Sequence, residues 1–413
     1  MNPRAVSNLI SACALTLFLC AIFLLFPIPA RAQSPANDSD AQLVNKFLDQ
    51  EREPAEGLKC VIKSMQPFLD FAFRFEVGYI VRCPLREFAG NGSTIVSFVR
   101  VKPEGGTAIV LGDAYKLPPS VGSASGNIRA DQLKDEFDFS GGFAAGEGNY
   151  QVEVLVANRE ATRICTKRWH VHLERKRSEK KVPLTLNDNA AGALTILPWS
   201  GIFDTSGSGL RLTVLLDAAP VNPYSQKLRA WDRSFLLSAL STVMSQINCQ
   251  SVRLIAFNMD QQKELFRKER FDEPGFNELA QAMRGLELGM VSFQVLEQKQ
   301  GYASLLSRLA TLEMTDAQPS DAVILLGPHT RFLDKPPQGF LPARDGKGPQ
   351  FFYLEYMPSW LLGREFPDVV EYVTRSLDGT SFKIHSPAEL AHAVQKIAAQ
   401  VKHNGKQAGV AGQ

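Results

Sequence analysis

The sequence carries almost no surplus of charge: 45 Lys and Arg stand against 43 Asp and Glu in 413 residues, a net of +2. Binding nucleic acid through its phosphates needs a basic excess that displaces counterions, so this balance excludes a general nucleic-acid binder. Cysteine is scarce, six in all, and no two stand as a Cys-x-x-Cys pair, which argues against a zinc finger or ribbon. Walker loops, His-Glu-x-x-His and dinucleotide fingerprints are missing as well. Gly207-Ser208-Gly209 precedes a strand pattern and lacks the strand-to-helix setting of a hydrolase nucleophile elbow. Beyond residue 32 no apolar stretch approaches the length of a membrane span.

The one long apolar run lies at the start. Arg4 is followed by Leu9 to Phe26, then by Pro27 and Pro29, then by Ala30-Arg31-Ala32. These are the charged, apolar and small-residue parts of a secretory signal, with the cut expected after Ala32. An uncleaved anchor is the alternative. Cys20 follows Phe18 and Leu19 rather than small residues, which speaks against a lipid anchor. Cleavage removes Arg4 and Arg31 and no acid, so the mature chain is neutral. Export to the periplasm or exterior, with no stable membrane insertion after cleavage, is the expected localisation. Four cysteines survive there, Cys60, Cys83, Cys165 and Cys249, and an oxidising compartment favours pairing.

Two domains are expected. After the signal (1–32) comes a polar leader with a short helix (33–56), in which the helix falls over Ala41 to Arg52. Over 57–174 the hydrophobic period is two, most clearly in Phe71, Phe73, Phe75, Val77, Tyr79 and Val81. This predicts one long strand bent at Gly78. Ile95–Val101, Ala108–Leu111, Tyr150–Val156 and Ile164–Leu173 read as further strands, giving an immunoglobulin-like β-sandwich. Tyr150, opening a penultimate strand, is placed either to hydrogen-bond back to the preceding loop or to stand as a plain edge tyrosine. Parity points Cys60 and Cys165 inward and pairs them, although it points Cys83 inward too. His170 and His172 alternate with Trp169 and Val171 and fall on a solvent face.

A charged linker over 175–204, opening with Glu-Arg-Lys-Arg-Ser-Glu-Lys-Lys, leads to a second domain over 205–402 and a disordered tail over 403–413. In the second domain buried strands alternate with helices. Leu210–Leu216 is followed by a helix carrying Phe235, Leu236, Ala239, Leu240, Val243 and Met244 on one face, with Asp232 as its expected N-cap. Val252–Phe257, Ala322–Leu326, Phe351–Tyr356 and Thr380–Ile384 are strands; Phe276–Leu286, Tyr302–Met314 and a last helix capped by Ser386 lie between and after them. The pattern is that of a doubly wound, mostly parallel, Rossmann-type α/β sheet.

Strand-Asp217, Ser251-Val252-Arg253-Leu254-Ile255-Ala256-Phe257, Gln300-Gly301-Tyr302-Ala303-Ser304 and Asp321-Ala322-Val323-Ile324-Leu325-Leu326-Gly327 together resemble a von Willebrand factor A domain. The order sandwich-then-A-domain behind a signal is similar to exported von Willebrand A-related proteins of acidobacteria. The resemblance implies a divalent metal held by Asp-x-Ser-x-Ser, a threonine and a late aspartate. Here those positions read Asp217-Ala218-Ala219-Pro220-Val221, Tyr302 or Ala303, and Gly327. One carboxylate cannot hold a hard cation that wants about six oxygens, so a metal-free A-like domain with no cofactor is expected.

Doubly wound sheets bind ligands beyond the carboxyl ends of their strands. That places Asp217, Tyr302, His329 and Arg331 on a candidate binding face, with no catalytic constellation. The expected function is that of an exported, non-catalytic interaction or scaffold protein whose partner is another envelope or extracellular protein. The alternative is an envelope hydrolase built on His329 and Asp217.

Overall fold

The computed structural model describes residues 33–49, 57–88, 94–117, 136–158, 163–195, 197–204, 206, 209–222, 225, 227–284, 286, 301–337, 339–341, 348–357 and 366–410. The expected signal, residues 1–32, lies outside them. Contacts divide the chain into two units. The first runs to Phe68 and takes up Phe75–Glu174 and Leu186–Ile196; the second holds Leu69–Arg74, Arg175–Thr185 and the chain from Leu197 onward.

The first unit is a β-sandwich. Its strands are β1 (Ser34–Pro35), β2 (Val61–Ser64), β3 (Phe68–Leu69, which enters the second unit), β4 (Phe75–Pro84), β5 (Thr94–Pro103), β6 (Ile109–Lys116), β7 (Glu136–Ala145), β8 (Gly148–Asn158), β9 (Ile164–Leu173) and β10 (Ala191–Gly192). One sheet has the order β1-β6-β5-β8-β9 and the other β10-β7-β4-β2. They meet through Tyr79 of β4, whose hydroxyl lies 3.1 Å from Ser97 Oγ of β5, and through Tyr115 of β6, which donates to the Ser140 carbonyl of β7 at 3.0 Å.

The long strand expected from Phe71 begins only at Phe75. Asp70 accepts from the amides of Ala72 (2.9 Å) and Arg74 (3.1 Å), and Phe73 takes a φ of 58°. This carboxylate-centred turn sends Phe71 and Phe73 into the core of the second unit, where Phe71 meets Phe235 and Tyr356 edge-on. Their alternation with polar neighbours imitated a strand. Gly78 is regular, paired with Gly142. β7 had no expectation attached to it, because Ser140-Gly141-Gly142 has low strand propensity. Gly141 is required by close approach, since a Cβ there would meet the Tyr79 hydroxyl at 2.4 Å.

The described part of the leader, residues 33–49, is built into the first unit. Gln33 is buried, accepting from the Tyr79 hydroxyl at 3.0 Å and donating to the Ser97 carbonyl at 3.2 Å. Helix α1 (Asp38–Asp49) starts earlier than expected because Asn37 Oδ1 caps the Asp40 amide at 2.9 Å. It buries Val44 and Leu48 against Leu155, Ala157 and Ile164.

The cysteine pairing expected from parity is corrected: Cys60 is bonded to Cys83, and Cys165 and Cys249 are free. β2 pairs antiparallel with β4 in the register Val61↔Arg82, so Cys60 stands opposite Cys83 in one sheet. Cys165 reaches only the Cys60 carbonyl, at 3.4 Å. Tyr150 does bond back to its loop, donating to the carbonyls of Gly146 (3.1 Å) and Ala190 (3.0 Å). His170 and His172 are exposed.

The segment read as a linker supplies β10 to the first unit and Val182 and Trp199 to the core of the second. In the second unit the sheet order is β13-β12-β11-β14-β15-β16. Its members are β11 (Leu210–Asp217), β12 (Cys249–Asn258), β13 (Lys263–Lys268), β14 (Ala322–Pro328), β15 (Gln350–Tyr356) and β16 (Thr380–Ile384). All pairings are parallel except the edge pair β12–β13. Successive residues of β11 enter opposite layers: Val214 and Leu216 pack with α2 (Ala230–Gln246), α3 (Glu273–Arg284) and α6 (Pro387–Val410). Leu215 packs with α4 (Gly301–Thr315) and α5 (Val369–Ser376). Helices therefore cover both faces. Asp232 sits at N3 of α2, accepting from the Arg229 amide at 2.8 Å, rather than at the N-cap. The backbone of α6 stays helical to Val410, through most of the expected disordered tail. Among the described residues no helix is long and apolar enough to cross a membrane.

Candidate functional site

Three parallel strands deliver polar groups to one end of the second unit. β11 ends on Asp217, and Leu216 pairs with Leu326 of β14, so Gly327 lies alongside Asp217. A Cβ on Gly327 would stand 2.8 Å from that of Asp217, which accounts for the glycine there. β14 continues to His329, whose amide donates to the Tyr356 carbonyl at 2.8 Å. β15 contributes Glu355, the single acid in a mostly apolar strand and fully buried. Asp368 follows at the N-cap of α5.

A crevice opens over these ends, lined among others by Asp217, Pro220, Asp260, His329, Arg331 and Phe332. Of the residues chosen from sequence, Asp217, His329 and Arg331 are therefore brought together. Tyr302 does not line the crevice; its ring stacks on Phe332 with centroids 4.3 Å apart and supports the wall. Sequence reasoning missed Asp260, Glu355 and Asp368. The isolated Glu355 in Phe351-Phe352-Tyr353-Leu354-Glu355-Tyr356 and the N-cap position of Asp368 were the available signals.

Asp217 is only 4% exposed, and neither of its oxygens has a hydrogen-bond partner of good geometry. Burial pushes its carboxyl well above the usual range, and the charges of Asp260 and Asp368 push it further, with slight relief from the Met259 amide. Asp260 is raised by burial, an effect opposed by Arg331, whose guanidinium approaches it to 2.5 Å. Asp368 is raised to about 6 by burial and by Glu355. It is held by the amides of Thr330 (3.0 Å) and Glu371 (2.8 Å) and by the Tyr353 hydroxyl (3.1 Å). His329 Nδ1 lies 2.5 Å from Glu355 Oε1 and 3.8 Å from Asp368 Oδ2. Burial would lower this imidazole, but the two carboxylates raise it overall.

The metal implied by the resemblance does not fit its usual residues. Ala219 and Val221 offer no oxygen where the two serines would stand. Val221 is buried, with its amide committed to Asp232 at 3.0 Å. Gly327 has no room for the late aspartate's side chain.

No protein-family model matches this chain, and no curated protein matches it. Among solved structures it is similar at 8% identity to the putative ApaA protein from Bordetella pertussis, which covers 30% of this chain and all of that one, with a TM-score of 0.17. A Bacteroides uniformis beta-glucuronidase is 10% identical over 72% of this chain, with a TM-score of 0.19. A glycosyl hydrolase family 2 member from Bacteroides cellulosilyticus is 8% identical over 79%, also at 0.19. The chain spans 36% and 39% of those two proteins' lengths. At such TM-scores these likenesses carry neither fold nor activity to this chain.

Proposed function

We propose that this chain is an exported, non-catalytic binding protein, with an immunoglobulin-like sandwich and a von Willebrand A-like unit, lacking the ligands of that family's usual metal site, that engages a partner protein at the carboxyl ends of its strands. The single observation that carries the reading is Asp217: a buried carboxyl with no hydrogen bond of good geometry to either oxygen, lining the crevice. Unsatisfied buried groups cost stability, and at strand ends such a cost is that of a group kept for a ligand. Phe332 lines the crevice, and the exposed Leu333 follows it in the chain, adding apolar surface of the kind binding sites use. The Cys60–Cys83 disulfide and the pattern of residues 1–32 support export.

A photoreactive side chain placed at Leu333, in protein returned to its native envelope, tests the reading. The expected outcome is a discrete crosslinked partner that disappears when Arg331→Glu is added. A partner captured equally well by Arg331→Glu overturns it. The hydrolase alternative predicts labelling by a serine-directed activity probe that Asp217→Asn abolishes.

A further inference from the structure

Beneath the crevice, His329 Nδ1, a Glu355 oxygen and an Asp368 oxygen lie within 4.8 Å of one another, all three residues buried. These are not the positions by which the resemblance would bind a metal. We propose that His329, Glu355 and Asp368 form a site for a divalent transition-metal cation of the zinc class, independent of the partner-binding reading.

Ligand type comes first. An imidazole nitrogen with two carboxylates selects zinc-like ions over calcium or magnesium, which prefer oxygen alone. Spacing comes next. A tetrahedral ion about 2.0–2.2 Å from each ligand holds them roughly 3.3 Å apart. The observed Nδ1 separations of 2.5 Å and 3.8 Å bracket that value, so shifts of under about an ångström bring the imidazole to ligand spacing from each carboxylate, with the fourth position left to water. One further observation points to a cation here: Glu355 Oε2 is fully buried and has no hydrogen-bond partner among the described residues. The supporting shell is already in place, since the Thr330 and Glu371 amides and the Tyr353 hydroxyl fix Asp368, as outer partners do in metal sites. His329 and Thr330 also line the crevice, which provides the entry path.

The test uses the full chain, stripped with a chelator and titrated with Zn2+ against a chromophoric competitor. One ion per chain is expected, with affinity reduced about 100-fold or more in His329→Ala and in Glu355→Gln. Glu355→Gln keeps volume and polarity, so its folding, checked by circular dichroism, keeps the test open if His329→Ala fails to fold. Co2+ should give visible absorption bands of a four-coordinate nitrogen–oxygen site, lost in the same variants. Zinc binding that is absent, or that is unchanged in Glu355→Gln, overturns the proposal. So does binding abolished by His172→Gln or Cys165→Ser, because an exposed histidine or a free thiol would then be the ligand.

Discussion

Arg100 and Glu153 face each other on neighbouring strands of the sandwich with Nε and Oε2 2.5 Å apart, and they are 2% and 1% exposed. Both sit under α1, whose Asp49 and Asn45 also reach the guanidinium, at 2.8 Å and 3.0 Å. Removing one member of such a pair strands a buried charge, whereas replacing both with apolar groups of similar volume need not destabilise. Glu153→Gln is expected to cost about 3 kcal/mol in denaturant unfolding, and Arg100→Met with Glu153→Leu far less. Burial alone would raise the Glu153 carboxyl, but Arg100, Lys102 and Arg168 hold it below its ordinary value. Its contribution is then complete above the unfolded carboxyl's pKa of about 4.3 and lost as pH falls through the lower folded value. The wild-type advantage over Glu153→Gln should shrink in acid; an advantage that grows would contradict the pairing.

Asp217 has the opposite sign. Its folded pKa is raised by burial and by Asp260 and Asp368, so its ionisation works against folding. Stability falls as pH rises from about 3.9 toward the folded value and is then level. Asp217→Asn should therefore be the more stable protein at pH 8, by roughly 1–2 kcal/mol, with the gap closing toward pH 4. Thermal melts of both proteins across that range decide it, and a less stable variant at pH 8 would show the carboxylate to be structural.

The disulfide closes a loop across a sequence separation of 23, worth about 3 kcal/mol in the chain-entropy account. Cys83→Ser should lose that much, Cys165→Ser little. A non-reduced digest should yield the Cys60 peptide joined to the Cys83 peptide.

Tyr150→Phe removes donation to the Gly146 and Ala190 carbonyls while keeping the ring. A loss of about 1–2 kcal/mol in chemical denaturation is expected, concentrated in the sandwich.

The period of the hydrophobic residues made much of this fold legible. Leu210–Asp217 follows from a continuous apolar run, Ile164–Leu173 from alternation, and the faces of α2 and α6 from helical spacing. Where the chain turned on one side chain, periodicity misled, as at Asp70, whose carboxylate ends the Phe71–Phe73 alternation. Cysteine parity gave the facing of Cys60 but not its partner, because register across β2 and β4 is a pairing property absent from either strand by itself. In the site, Asp217, His329 and Arg331 were readable as strand-end residues. Asp260 and Asp368 come from a turn and a helix cap, and only the fold sets them beside the others.

Gln33, Ser34 and Pro35 hold a place in the sandwich that their polar composition conceals. β1 pairs with β6 through Ser34↔Gly112 and Pro35↔Leu111, and Gln33 satisfies the Tyr79 hydroxyl deep between the sheets. A protein shortened to start at α1 would bare the rim of β6 and lose Gln33's hydrogen bonds to the Tyr79 hydroxyl and the Ser97 carbonyl. Naked strand rims recruit other chains. Residues 33–35 thus act as a guard on that rim, and their removal is expected to promote self-association.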